Sequence, residues 1–392
     1  MREALPIVVE DPAAVTKALL RHVADRTTDQ FPSTRSIPAA DYHDAELMAR
    51  ERELIFGRVP IVAAHSTDLP DAHSFRTVRL PNNEAVLVRQ PNGTVKAFVN
   101  ACRHRGSRLV TDEAGSSRVF TCGYHGWAYK PDGSLAAVTR ERNFGDVDRS
   151  CHSLVELPVE ERHGLIWVID RVGAQIDLPE WLGPELDSAL STYDLDGYFS
   201  YRTMTIDEPL NWKTLMDGFV DNYHIDVVHP SSVAPYFHSD TMVYRRLGRH
   251  GRTIAPRTSI AAIADDASPE AVLGHHVTVG YSIMPNVMLL RQPDHFELLH
   301  FLPHPSDPCR ATMEMRLLVP EPPQTDKQER YWAKNWDLLV SALHDEDLVL
   351  LRGQQSALGN QGAGAVTFGR NEIVNQVFHE WLDASLSSAS LP

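Results

Sequence analysis

The chain has 392 residues, 43% of them hydrophobic and 23% charged, which suits a globular protein of two domains that each bury a core. A formal net charge of −15 disfavours nucleic acid and anionic membranes as partners. No apolar run approaches the length of a membrane span, and Ile7-Val8-Val9 in the stretch Met1 to Ala14 is too short for a signal-peptide core, so a cytoplasmic location is expected.

In chain order, Val15, Leu19, Leu20 and Val23 recur at helical spacing and predict a helix over 14–28, ended by the Pro/Ser/Thr-rich stretch 31–38. From Ser74 to Leu135 the character changes to short valine-rich and aromatic segments. They predict strands at 75–80, 84–89, 95–99 and 119–122, punctuated by Pro81-Asn82-Asn83, Pro91-Asn92-Gly93 and Pro131-Asp132-Gly133. The run from His163 to Ile169 reads as the closing strand of a small all-β module.

Two Cys/His pairs fall in the loops of that module. Cys102-Arg103-His104 and Cys122-Gly123-Tyr124-His125 stand either side of a 17-residue gap. Two thiolates and two imidazoles are the ligands of a Rieske [2Fe-2S] centre, where histidines replace cysteines on one iron. A tetrahedral zinc site is the competing reading. Zinc fingers, however, pair like with like, whereas each motif here offers one sulfur and one nitrogen. Glycines at 106, 123 and 126 let backbone approach a cluster, and Tyr124 and Trp127 could shield it from water. Cys151 and Cys309, more than 150 residues apart, are expected to be buried free thiols in a reducing compartment.

Beyond residue 180 the pattern is mixed. Asn211 can cap a helix through Trp212, Leu215, Phe219 and Val220. Strands are expected at 276–283, 286–291, 295–302 and 311–319, and helices at about 326–357 and 370–385. On a helix Asp217, Asp221 and His224 would share one face at i, i+4 and i+7, with Asp217 open to being a solvated helix residue. Pro230 forces His229 out of helical geometry, which lets its imidazole turn towards His224. Two histidines and a carboxylate make the facial triad of non-haem Fe(II) oxygenases. Tyr236, Phe237, Met284 and Phe296 could line a pocket, although core packing is the simpler reading for each. No glycine-rich dinucleotide fingerprint lies between strand and helix, so nicotinamide binding is left to a partner.

Together these motifs resemble the Rieske non-haem iron oxygenases over roughly residues 40 to 385. Residues 102–106 and 122–127 match the family's Cys-x-His-Arg-Gly and Cys-x-x-His-Gly-Trp, with Arg103 where proline is frequent. Asn211-Trp212-Lys213, Asp221, Tyr223-His224 and His229 match its catalytic signature, with Gly218 where many relatives have asparagine. The resemblance implies that Cys102, His104, Cys122 and His125 hold the cluster and that His224, His229 and Asp347 hold a mononuclear Fe(II). It also implies that Asp221 links the iron site to a Rieske histidine of a neighbouring subunit. Asp347 follows from the segment 344–355, in which Gln355 falls at the expected +8 while Arg352 replaces the usual glutamate; Asp345 and Glu346 are its competitors. Glu372, Phe378, His379 and Trp381-Leu382 resemble the family's C-terminal helix.

The implied architecture is an all-β Rieske [2Fe-2S] domain at 46–170 and a larger α+β catalytic domain, an antiparallel sheet with helices, at 171–392. A helical segment at 1–45 packs on the latter. The implied activity is that of a terminal oxygenase component, or α subunit. It would use O2 and electrons from a separate NAD(P)H-dependent reductase, directly or through a ferredoxin, to hydroxylate an aromatic or similar small cyclic substrate. Oxidative N- or O-demethylation is the alternative within the family, and a non-catalytic Rieske electron carrier is the alternative outside it. A homotrimer is expected, with or without a β subunit.

Overall fold

The computed structural model describes residues 5–263 and 267–387, so the ends of the expected first and last segments, residues 1–4 and 388–392, lie outside it. The chain divides into two compact units, 50–181 and 1–49 together with 182–392.

In the first unit the valine-rich segments form an antiparallel sheet in the order Glu156–Leu157, Val95–Val99, Glu84–Arg89, Ser74–Arg79 and Ala114–Ser116. A second sheet joins Phe120–Thr121, Ala128–Tyr129 and Leu135–Ala137. The closing strand is shorter than its sequence suggests: it spans Leu165–Val168, because His163 (φ 54°) and Gly164 (φ 76°) turn the chain just before it. It pairs with Val159–Arg162 and with Ile61–His65, the latter a strand outside the sequence reading. The core contains Phe75, Val86, Phe98, Trp127 and Tyr129 together with Cys102 and Cys122. Each large side chain so buried contributes about 1.5–3 kcal/mol, and the two thiols are set in place by that packing.

The second unit is built on a seven-stranded antiparallel sheet. Six strands run as a meander: Val243–Leu247, His250–Pro256, Val277–Ile283, Val287–Arg291, Phe296–Pro303 and Ala311–Val319. The strand that precedes them in the chain, Phe199–Glu208, adds beside the last. Residues 209–242 therefore carry the chain from one edge of the sheet to the other, and the Asp221/His224/His229 segment lies on that crossing. The four strands expected here occur within a residue of their predicted bounds; the other three carry weaker signals.

The helix expected over 326–357 is one continuous run, Asp326–Val340, then π-helical turns over Ser341–Asp347, then Leu348–Leu358. The N-terminal helix is Pro12–Asp25, with Asp11 accepting from the Ala14 N–H at 2.9 Å. The last helix, Ile373–Ser387, buries Phe378, His379, Trp381 and Leu382.

Three details differ from expectation. The helix capped by Asn211 stops at Phe219, so Asp217, Asp221 and His224 share no helix face. The Asp221 carboxylate instead accepts from the N–H groups of Tyr223 (2.7 Å) and His224 (3.2 Å), a local turn that competes with helix. Asp217 is buried rather than solvated: its carboxylate accepts from the Tyr42 hydroxyl at 2.7 Å and lies 3.0 Å from His379 Nε2. Cys151 is exposed, with its thiol on Asp148, and Cys309 is half-buried, although both are free as expected. Among the described residues no helix is long and apolar enough to cross a membrane.

Candidate metal centres

Two loops of matching form present the Cys/His pairs. In the first, the Cys102 N–H donates to Ser107 O (2.8 Å) and the Gly106 N–H to Cys102 O (2.9 Å); in the second, Cys122 donates to Trp127 O (2.8 Å) and Gly126 to Cys122 O (2.9 Å). Each loop closes on a glycine at positive φ, 73° at Gly106 and 71° at Gly126, where a side chain would be strained. Asn100 pins the first loop, accepting from the N–H groups of Leu109 and Val110 and donating to Val110 O at 2.8 Å.

Both thiols are buried, and the two imidazoles face one another with ring centroids 4.7 Å apart. Trp127 stacks on His104 at 4.9 Å, and Phe144 meets both rings edge-on. Burial pushes the Cys102 thiol up, although the Tyr129 hydroxyl 3.3 Å away opposes it. At Cys122 burial acts the same way, but the N–H groups of Tyr124 and His125 outweigh it and bring the thiol down. Nδ1 of His125 is buried and takes no hydrogen bond among the described residues. A buried imidazole nitrogen left unpaired is costly unless a metal receives it, so the donor set fits a thiolate/imidazole cluster.

The second constellation lies in the sheet-based unit. His224 Nε2 and His229 Nε2 are 3.6 and 3.0 Å from Asp347 Oδ1, and the three ligand atoms all lie within 4.8 Å of one another. Among the described residues this is the group of three or more histidine, cysteine or carboxylate side chains that converges at single-ion distance. The opposite nitrogens are both held by carboxylates, His224 Nδ1 by Asp221 at 2.9 Å and His229 Nδ1 by Glu346 at 2.5 Å. Such partners fix the tautomer with the proton on Nδ1, leaving each Nε2 lone pair towards Asp347.

Burial disfavours the charged form of His224, yet the bond and charge of Asp221 and the charge of Asp347 prevail, and its pKa is raised. At His229 burial is likewise overcome by Asp347 and Glu346. Asp347 itself is raised by burial, against the two histidines.

The neighbouring residues take other work. Glu346 also accepts from the Ser232 hydroxyl at 2.6 Å, and Asp345 pairs with His344 on the exposed side. Gln355 accepts from Asn211 N and Thr214 Oγ1, both at 2.9 Å, and donates to Tyr42 O at 3.0 Å, joining the helices Leu348–Leu358 and Trp212–Phe219 to the N-terminal arm. Arg352 forms a two-point pair with buried Glu208 at 2.7 and 2.6 Å. Gly218 sits against Leu351, where an added Cβ would meet a methyl at 2.7 Å, so an asparagine would require Leu351 to shift.

A cavity of about 400 Å³ opens on His224, His229 and Asp347. Tyr236 and Phe237 line it, whereas Met284 and Phe296 are packed in the core. Sequence reasoning did not single out Glu346 as the partner of His229, nor Arg257 in the cavity wall. The first was hidden because the π-turns shift the helical register; the second carries no local motif.

Residues 59–155 match the family model for the Rieske [2Fe-2S] domain, and residues 195–388 that for the ring hydroxylating alpha subunit (catalytic domain). The chain is 32% identical over 198 residues to the carnitine monooxygenase oxygenase subunit of Escherichia coli (strain K12), covering 50% of this chain and 52% of that protein. It is 34% identical over 203 residues to the large oxygenase component of the 2,4-dinitrotoluene dioxygenase system of Burkholderia sp. (strain RASC), covering 48% and 43%. The chain thus spans about half the length of the curated relatives it matches. The fold is that of a quaternary ammonium Rieske monooxygenase described with carnitine oxidation by gut microbiota and inter-subunit electron transfer: TM-score 0.75, 20% identity, covering 89% of this chain and 94% of that one.

Proposed function

This chain belongs to the Rieske non-haem iron oxygenases, and on that premise we propose that it is a terminal oxygenase component that hydroxylates an aromatic or similar small cyclic substrate. The observation that carries the proposal is the convergence of two Nε2 atoms and one carboxylate, each histidine held from behind, at the wall of a ligand-sized cavity.

Cys102, His104, Cys122 and His125 are assigned to a [2Fe-2S] cluster, and His224, His229 and Asp347 to a mononuclear Fe(II). Iron bound there supplies O2 activation with electrons delivered by the cluster. The chain's own part is to aim the Nε2 lone pairs, to keep the Nδ1 protons on Asp221 and Glu346, and to enclose the substrate. A carrier would need only the first constellation, so the second favours an oxygenase.

Electrons are assigned to a separate NAD(P)H-dependent reductase, with or without a ferredoxin, in the cytoplasm. A homotrimer in which Asp221 bridges to a neighbouring subunit's Rieske histidine is supported by the inter-subunit transfer described for the quaternary ammonium monooxygenase; a β subunit is optional. Oxidative demethylation or oxidation of a quaternary ammonium compound is the second reading, favoured by the carnitine monooxygenase relative.

His224→Ala is expected to leave the cluster spectrum intact and to abolish product formation and O2 uptake. Retained turnover in that variant would overturn the assignment of the iron site.

A further inference from the structure

Arg257 stands out in the cavity wall as a guanidinium that forms no ion pair among the described residues. Its backbone is fixed at the end of strand His250–Pro256 by pairing with Phe237 and by donation to His276 O at 2.9 Å. Its Nη1 donates to Gln292 Oε1 (3.0 Å) and Thr278 Oγ1 (3.4 Å), both neutral. The other edge of the fork, Nε and Nη2, makes no hydrogen bond among the described residues, and none of their carboxylates reaches ion-pairing distance. Arg252, Arg316 and Arg352 of this unit each meet a carboxylate, on Glu10, Glu314 and Glu208, and buried Arg291 donates to the backbone carbonyls of Leu5 and Leu273 instead.

The two acids on the same wall are held on one imidazole and reach Arg257 only through their field, which opposes the effect of burial on it. His295 Nδ1 lies 2.8 Å from Asp294 and its Nε2 3.4 Å from Glu297. Tyr331 donates to Asp294 at 2.7 Å, and Gln292 Nε2 to Glu297 at 3.3 Å. Burial opposes a charge on His295, but the two carboxylates overcome it and raise its pKa. Two carboxylates on one imidazolium leave a net charge of −1, which offsets Arg257 at a distance without occupying its Nε/Nη2 edge.

Apolar groups also flank Arg257. The guanidinium carbon lies 5.2 Å from the Phe237 ring centroid and 5.8 Å from that of Tyr236, and Val233, Met288 and Leu290 also line the cavity. An unpaired, partly desolvated guanidinium edge is suited to a planar carboxylate taken at two points, and the apolar wall is suited to a ring.

We propose that the substrate is a small aromatic or cyclic carboxylic acid, its carboxylate held on the Nε/Nη2 edge of Arg257 and its ring directed along the apolar wall of the cavity that opens on His224, His229 and Asp347. This rests on the oxygenase reading of that site and narrows it to acids over neutral hydrocarbons and simple cations.

The test is anaerobic calorimetry on the metal-loaded protein with benzoate, cyclohexanecarboxylate, benzamide and choline. The acids are expected to bind on the order of 100-fold more tightly than benzamide, the scale of a charge-assisted two-point contact. Arg257→Gln should erase that preference without changing benzamide binding, and Arg257→Lys, which keeps the charge but not the fork, should retain part of it. Circular dichroism establishes that each variant is folded. Equal binding of benzoate and benzamide, binding of choline alone, no carboxylate binding, or a preference unchanged in a folded Arg257→Gln would each overturn the proposal. O2 uptake is scored separately with a surrogate reductase. Acid-selective binding with no acid supporting O2 uptake would leave the binding site standing and sink the oxygenase reading, whereas coupled oxidation of a neutral or cationic compound without acid preference would sink this inference alone.

Discussion

Glu346 and Asp347 are adjacent in sequence and differ entirely in their contacts. Asp347 faces both Nε2 atoms, while Glu346 grips the far nitrogen of His229 and the hydroxyl of Ser232. Glu346→Gln is therefore expected to weaken retention of the mononuclear iron by roughly 10–100-fold, the usual cost of losing a carboxylate behind a ligand histidine. Cluster absorbance should stay unchanged, and iron stoichiometry after chelator challenge is the measurement. Which carboxylate would meet the histidines was only half legible in the sequence. Asp347 followed from its spacing to Gln355, but the role of Glu346 depends on π-turns that no hydrophobic period announces. The Cys/His pairs could be read as pairs because the cysteine and histidine of each lie within four residues, so the geometry of one loop brings them together.

At the level of elements, the hairpin turn at Pro81-Asn82-Asn83 hangs on Asp170, just after the strand Leu165–Val168. The buried carboxylate takes the Asn82 N–H and, at 2.7 Å, the Asn83 side chain. Burial pushes Asp170 up to about 6, despite those bonds. A carboxyl whose pKa is higher folded than unfolded stabilises the fold fully below about pH 4 and loses that contribution as pH rises to about 6. Thermal melts across this window should show the protein losing stability relative to Asp170→Asn, by at most about 3 kcal/mol at 1.36 kcal/mol per pKa unit.

The close approach of Gly218 to Leu351 gives a second expectation. Gly218→Ala gains about 1 kcal/mol of helix propensity but overfills the contact at a cost of about 1–3 kcal/mol, so it should lower the melting temperature, and adding Leu351→Ala should reverse the overpacking. Strands such as Val277–Ile283 were legible because apolar Val277, Val279, Tyr281 and Ile283 alternate with Thr278, Gly280 and Ser282, a strand period on a fully buried segment. Phe199–Glu208 was not, as an edge strand left mostly in solvent, and His250–Pro256 hides behind Arg252, whose charge meets Glu10 and which donates to Val8 O, both far away in sequence.

For the whole molecule, the proposed subunit-crossing route makes a prediction that no single-chain variant can. Chains with Cys102→Ser carry an intact iron site and no working cluster, while chains with His224→Ala carry the reverse defect. Co-expressed and purified as mixed assemblies, they should recover part of the O2-coupled turnover that each lacks alone. Absence of recovery in verified mixed assemblies would place the electron path within one chain. That two domains exist was readable from the change in character near residue 180, where valine-rich segments give way to mixed elements. The order of strands across the seven-stranded sheet was not readable, since the Phe199–Glu208 pairing with Ala311–Val319 joins residues more than a hundred apart.

The crossing segment 209–242 has one more consequence, for how the protein is made. The four residues assigned to the cluster fall between positions 102 and 125, and all of them have been synthesised before the first strand of the large sheet. The three assigned to the mononuclear iron run from 224 to 347. At about 5–20 residues per second, the ribosome needs roughly 6–24 seconds after His229 to deliver Asp347. A nascent chain can thus complete the cradle proposed for its cluster while its proposed iron site is still two histidines awaiting a carboxylate.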